Sequence, residues 1–540
     1  MLDQEESATS RTPLLQTSNS DSTPRNVYTY GTETGDSATE QQQQHSLRRV
    51  ADSLPLNVWI IATIEACERF AFFGMAAPLQ NYVQNSRDDP LRPGGIGLGQ
   101  AYATIVNLSF IMWCFVTPVV GAVVAEQYLG RLRTVTYASL VYICGLSVLV
   151  VSSLPLAHDR GLSFSGMFLS LFLIGIGTGG IKTNVNSLIA EQYTGPKKAV
   201  QVLKSGEKVL VDKDLTLQRI FTTFFIYVNI GSVTSMVTTP VEKYYGFTAA
   251  FALPLVVFFV GLVIILASKD RYVSHPPDKS LLFNAGRVLW IALKNRGHFH
   301  HASPSHQDEA DPAERLPWDD VFVDDIRKTL VASKVFVLYP FFWAAYSQYL
   351  TNFVSQAATM ETHGIPNDIM TAIDPVSVLI LLPTLDRIIF PFVRKLGASL
   401  LAADRVRLGF IICGIAMLYA AFVQHMIYLS PPCYNHPRSL DCFDGKVPNS
   451  ISVFWQAPSY LFIALAECFA AVAGVEYAYA AAPKSMKSIV IALYMSSASV
   501  GAILAMTVSP LTVDPELPWM YVTLGMGVLV AGGVLCIVPV

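Results

Sequence analysis

The sequence is short of charge. Of its 540 residues 14% are Asp, Glu, Lys or Arg, while 52% are hydrophobic and the mean hydropathy is +0.42. Soluble proteins carry about a quarter charged residues, so too little polar surface remains to solvate this chain on all sides. Lysine is missing altogether before Lys182. A net charge of -3 provides no basic footprint for nucleic acid, and eight cysteines are too dilute for a disulfide-stapled secreted domain. The apolar content excludes a disordered chain. No His-Glu-x-x-His pair, nucleophile elbow or phosphate-cradling glycine loop appears, which argues against an enzyme and against a metal or cofactor. What remains is a protein of the lipid bilayer. At about 20 apolar residues per spanning helix, the length holds about a dozen spans and one sizeable loop.

Residues 1–53 are rich in Ser, Thr and Gln and show no apolar periodicity, which reads as a disordered cytoplasmic tail. The tail has no apolar h-region and is not a signal peptide. Apolar stretches follow at about 55–84, 99–124, 134–154, 163–189, 220–240 and 247–267, then at 333–357, 373–393, 406–429, 451–480, 489–511 and 517–540. The expected fold is all-α and integral to the membrane: twelve spans in two six-helix bundles, 54–267 and 333–540. A cytoplasmic linker, 268–332, joins them. Within it Leu281, Leu282, Val288, Leu289, Trp290 and Leu293 alternate with Arg287, Lys294 and Arg296, the pattern of a helix in the membrane interface. Lys and Arg are more numerous in the short loops on the side of the N-terminus, which puts both termini in the cytoplasm. On the opposite side Cys433 and Cys442 face an oxidising compartment, where they form a disulfide or remain two thiols.

A charge in mid-span costs at least about 2.5 kcal/mol on insertion scales, so it persists where it meets a partner or a watery cavity. Span one contains Glu65, Glu68 and Arg69, with Phe72 and Phe73 one turn on. Two acids share one arginine, which stays protonated. The like charges repel in low dielectric, so the set is expected to take up a proton. Span four ends in Gly175-Ile-Gly-Thr-Gly-Gly-Ile-Lys182. Its glycines permit close approach of another helix, which brings Lys182 against the span-one carboxylates, although a lysine near a helix end can also snorkel to the interface. Span ten carries Glu467 in the other half. A cavity positive at one end and negative at the other suits a zwitterion.

The segment Glu65-Ala-Cys-Glu68-Arg69-Phe70-Ala-Phe72-Phe73-Gly74 resembles the Glu-x-x-Glu-Arg-Phe-x-Tyr-Tyr-Gly motif of the proton-dependent oligopeptide transporters, a branch of the major facilitator superfamily. Gly121 to Arg131 and Phe225-Ile-Tyr227-Val-Asn229-Ile-Gly231-Ser232 are similar to two further signatures of that family. Gly364 to Asp368 and Glu476 to Lys487 resemble its fungal branch, and the resemblance covers about 55–540. It implies proton-coupled import of di- and tripeptides by alternating access, across a plasma membrane, by a carrier that works as a monomer with no cofactor beyond the proton gradient. Matched residue by residue, it makes Glu65, Glu68 and Arg69 the proton-coupling set with Lys182 as their partner. Arg69 and Lys182 meet the peptide carboxylate, Asn229 its backbone and Glu467 its amino group, while Trp343 lines the pocket. Glu126 and Arg131 are expected to pair across an inner latch.

Departures from the family pattern bear on the substrate. Phe72 and Phe73 replace two tyrosines and make the pocket more apolar. Ser347 replaces an acid, and Asp374 stands where asparagine is common. The rival readings are a same-fold carrier of nitrate or another small anion, which gains nothing from Glu467, and a peptide sensor that does not transport.

Overall fold

The computed structural model describes residues 47–89, 91–196, 198–202, 206–273, 281–306, 316–396, 401–483 and 486–537. The tail reading for 1–46 lies outside the described residues. Among those described, ten helices are long and apolar enough to cross a bilayer, and a pair bent by 45°, Asp320–Val337 with Tyr339–Ala358, makes an eleventh. The twelfth is span one, Leu56–Gln84, whose mid-helix Glu65, Glu68 and Arg69 lower its apolarity. The chain is thus a twelve-helix membrane protein. In hydrocarbon every backbone polar group must be satisfied within its own segment, and these uniformly apolar runs become helices for that reason.

The remaining spans are Gln100–Leu129, Arg131–Ser152, Ser163–Glu191, Leu215–Tyr245 and Phe247–Ala267 in the first half, and Asn367–Val393, Ala402–Leu429, Val453–Tyr477, Ile489–Leu511 and Leu517–Ile537 in the second. Each half has its own core. One gathers buried side chains from Val58 to Tyr272, the other from Val335 to Leu535 with Leu108 of span two added. Spans two and four cross in backbone contact: a Cβ on Gly121 would lie 2.4 Å from the carbonyl oxygen of Gly179 and 2.9 Å from Cα of Gly180. The small residues in these spans therefore set the distance between them. Span seven bends where Pro340 opens a new helix, because proline is accommodated in a first turn but not in a helix interior.

Cross-half hydrogen bonds cluster at the end of span one that carries Gln80 and Asn81. Asn81 and Asn367 exchange bonds of 3.1 and 3.0 Å, Gln100 and Thr104 both donate to Asn352 Oδ1 at 3.0 and 3.1 Å, and Gln80 donates to Ser355 at 3.2 Å. On the same face Met360–Glu361 pairs with Asn449–Ser452 in a short parallel sheet. These bonds tie the halves together on that face.

The linker segment read as an interfacial helix is helical over Leu281–Lys294. Its Ala285 and Val288 are buried with Trp318 of the linker, with Val323 and Ile326 of the Asp320–Val337 helix and with Met486 and Ile489 at the start of span eleven. Phe283, Trp290 and Leu293 on its other face stay exposed.

Among the described residues, 47–52 and Gly195–Thr216 belong to a separate unit. Strands β1 (Arg49–Val50), β2 (Lys198–Val202) and β3 (Lys208–Asp212) form its sheet, in the order β1-β3-β2 with β1 parallel and β2 antiparallel to β3. Arg48 pairs with Glu207 at 3.1 Å, and Asp52 N–H donates to Thr216 Oγ1 at 3.0 Å. The segment read as a structureless tail through residue 53 therefore ends in a strand. A two-residue strand makes no periodic pattern of its own, and its pairing partner lies about 160 residues away.

Candidate functional site

The 3.6-residue helical period puts Glu65, Glu68 and Arg69 on one side of span one, facing inward. All three are buried. Arg69 Nε lies 3.1 Å from Glu65 Oε1, and Arg69 Nη2 pairs with Glu68 Oε2. One turn on, the Phe72 ring lies 5.7 Å from the guanidinium carbon and stacks on Phe110 of span two, with Phe73 packed edge-on against it. The two phenylalanines are a wall for the arginine where the family motif has hydroxyls.

Lys182 feels the charges of Arg69, Glu68 and Glu65. Its direct contact is different. The ammonium sits 4.1 Å above the ring of Phe115 in span two, a cation–π contact. Phe115 also meets Trp343 of span seven at 6.3 Å between ring centres, and Trp343 Nε1–H donates to Ser497 at 3.2 Å. Phe115 thus joins the basic group of the first half to the aromatic wall of the second. The Tyr346 hydroxyl, one turn after Trp343, donates to Glu467 Oε2 at 2.8 Å. Glu467 opens a widened turn, Glu467–Ala471, that breaks the regular register of span ten. Asp374 is also in that half and feels the Glu467 charge. Phe115 and Tyr346 carry no signal in the sequence, since an aromatic within an apolar run looks like packing.

The structure brings together Glu65, Glu68, Arg69 and Lys182, with Phe72 and Phe73 beside them, and sets Trp343 and Glu467 in the facing half. Asn229 is buried in span five and its amide donates to the Phe225 carbonyl of its own helix at 2.8 Å. The Glu126 carboxylate acts on the Arg131 guanidinium, which has a second acid beside it. Arg131 pairs with Glu191 at the end of span four. The chain between spans two and three makes a widened turn, Ala125–Leu129, and reverses at Gly130, whose φ of 76° suits glycine. Span three then starts at Arg131 packed along span four, which turns the guanidinium toward Glu191. Glu476 of span ten is tied to Arg405 at 2.8 Å, as a structural pair.

Cys433 and Cys442 are disulfide-bonded. Their loop presents Arg438, whose Nη2 lies 2.6 Å from Asp89 Oδ2 in the loop after span one. Asp89 Oδ1 at the same time accepts from the N–H groups of Leu91 and Arg92, at 3.1 and 2.8 Å. The Arg92 guanidinium reaches Thr362 at 3.2 Å. Burial first, and then the nearby Arg438, pull that guanidinium below its ordinary pKa. Asp89 therefore shapes its own turn and clasps the opposite half.

A paired-bundle membrane fold with a buried acid–arginine–lysine cluster facing a carboxylate across aromatic rings is that of a solute carrier. The model of the POT family matches residues 132–522. The chain is 59% identical to "Peptide transporter imqJ" of Aspergillus flavus over 56% of this chain and 60% of that relative. It is 38% identical to "Peptide transporter PTR_B" of Candidozyma auris over 93% of this chain and 85% of that one. The crystal structure of an auto-inhibited POT family peptide transporter has the same fold, with a TM-score of 0.69 at 22% identity, covering 89% of this chain and 96% of that one. The chain belongs to the POT family.

Proposed function

We propose that this chain is a proton-coupled symporter that imports di- and tripeptides by alternating access, a carrier rather than an enzyme. The reading is supported by one observation above all: a run of aromatic contacts, Phe115–Trp343–Tyr346, leads from Lys182 in one half to Glu467 in the other. A short peptide carries a carboxylate at one end and an ammonium at the other, and each end meets its opposite charge there. Asn229 contacts the peptide backbone, while Phe72, Phe73 and Trp343 line the space between the ends. Glu65 and Glu68 exchange the proton, since adding it relaxes two carboxylates that compete for one arginine. Arg131 and Glu126 belong to the inner gate, with Glu191 as the partner of Arg131. The carrier works as a monomer in the plasma membrane, both termini cytoplasmic, and draws on the proton gradient in place of any cofactor.

Uptake of a labelled dipeptide into proteoliposomes, with and without an inward proton gradient, tests this. Gradient-driven uptake by the wild type that both Glu467→Ala and Lys182→Ala abolish is the expected result. Absence of uptake by folded wild-type protein would sink the reading and favour another solute or a sensor.

A further inference from the structure

The C-terminal half holds two acids where one is enough for a peptide amino group. Asp374, in the first turns of span eight, is 3% exposed, and its Oδ1 is buried with no hydrogen-bond partner. It feels the charge of Glu467 of span ten, and both acids act on the hydroxyls of Tyr346 and Tyr349. Spans eight and ten pack directly on one another through Val378, Leu385, Ala464, Cys468 and Phe469, which fixes the two carboxylates on one wall. Among the described residues neither carboxylate has an ion pair. The contrast with span one is plain: there, two carboxylates face the positive charges of Arg69 and Lys182. A buried carboxylate without a counter-charge beside a second, half-buried one is costly, and leaving an oxygen of Asp374 without a partner adds to the cost. A zwitterionic peptide brings one ammonium to this wall. It leaves one acid unmatched.

We propose that Asp374 is a specificity-determining residue that receives a second cationic group, the side-chain ammonium or guanidinium of a peptide whose first residue is basic. The inference rests on the zwitterion reading of the central site and extends it. With the amino terminus at Glu467, a lysine or arginine at the first position is the nearest source of another positive charge. The pocket then matches two acids with two cations, as span one does within the protein.

The test compares alanyl-alanine, lysyl-alanine and alanyl-lysine in proteoliposomes containing wild type, Asp374→Asn, Asp374→Glu and Glu467→Gln. Asp374→Asn should weaken lysyl-alanine at least about tenfold more than alanyl-alanine, since a bond to a charged partner is lost for the first alone. Asp374→Glu should keep the preference, and Glu467→Gln should weaken all three dipeptides. An unchanged ratio of lysyl-alanine to alanyl-alanine in Asp374→Asn overturns the proposal. So does a uniform fall for every dipeptide with loss of gradient dependence, which would make Asp374 a proton carrier. Thermal stabilisation of the purified protein by lysinamide, a dication, reads the same site without transport. Its presence in wild type and loss in Asp374→Asn supports the proposal even where dipeptide uptake fails, and its absence from wild type overturns it.

Discussion

Arg69 bonds two carboxylates at once in a part of the span that water does not reach. Removing one acid leaves the arginine a partner; removing the arginine strands two charges. Arg69→Leu is therefore expected to destabilise the folded protein by about 3 to 5 kcal/mol, the cost typical of breaking a buried pair, and Glu65→Gln by clearly less. Thermal unfolding of the purified variants checks this, and equal losses would contradict it. Phe115 acts on Lys182 through its ring face. A cation–π contact of this kind is worth about 0.5 to 2 kcal/mol, so Phe115→Leu should raise the KM for a dipeptide roughly two- to thirtyfold, with Phe115→Tyr close to wild type. A Phe115→Leu carrier with an unaltered KM would show that Lys182 is held by other means.

Among elements, the clasp between the loop after span one and the disulfide loop before span ten ties the two halves together at the end of span one that carries Gln80 and Asn81. Arg438→Ala removes the clasp without disturbing the turn that Asp89 makes with Leu91 and Arg92. Spin labels placed on that face of the two halves should then show a larger population of long distances, and Arg438→Lys should restore the short ones. The spans themselves were legible because helices in lipid must be long and apolar, and their ends agree with the sequence reading to within a few residues at most positions. Glu65, Glu68, Arg69, Lys182 and Glu467 were legible for the opposite reason, as charges where none belongs. Phe115 and Tyr346 were not, because their role depends on which helix faces which. The Arg131–Glu191 pair was hidden because the widened turn at Ala125–Leu129 changes the direction of the chain, and no local pattern marks that turn. The β1–β3 pairing joins residues too distant in sequence for any periodicity to register.

On the scale of the whole molecule, the buried set of the first half, Glu65, Glu68, Arg69 and Lys182, sums to zero formal charge. A proton that joins it is a net positive charge carried through the bilayer by the rocking of the halves, while a zwitterionic dipeptide adds none. The membrane voltage then does work on each cycle, about 2.3 kcal/mol for one charge across 100 mV. Import should register as an inward electric current when a neutral dipeptide is applied under voltage clamp, and that current should grow as the interior is made more negative. A lysyl dipeptide should carry more charge per molecule taken up than an alanyl one, so the ratio of current to label counts the charges the carrier moves.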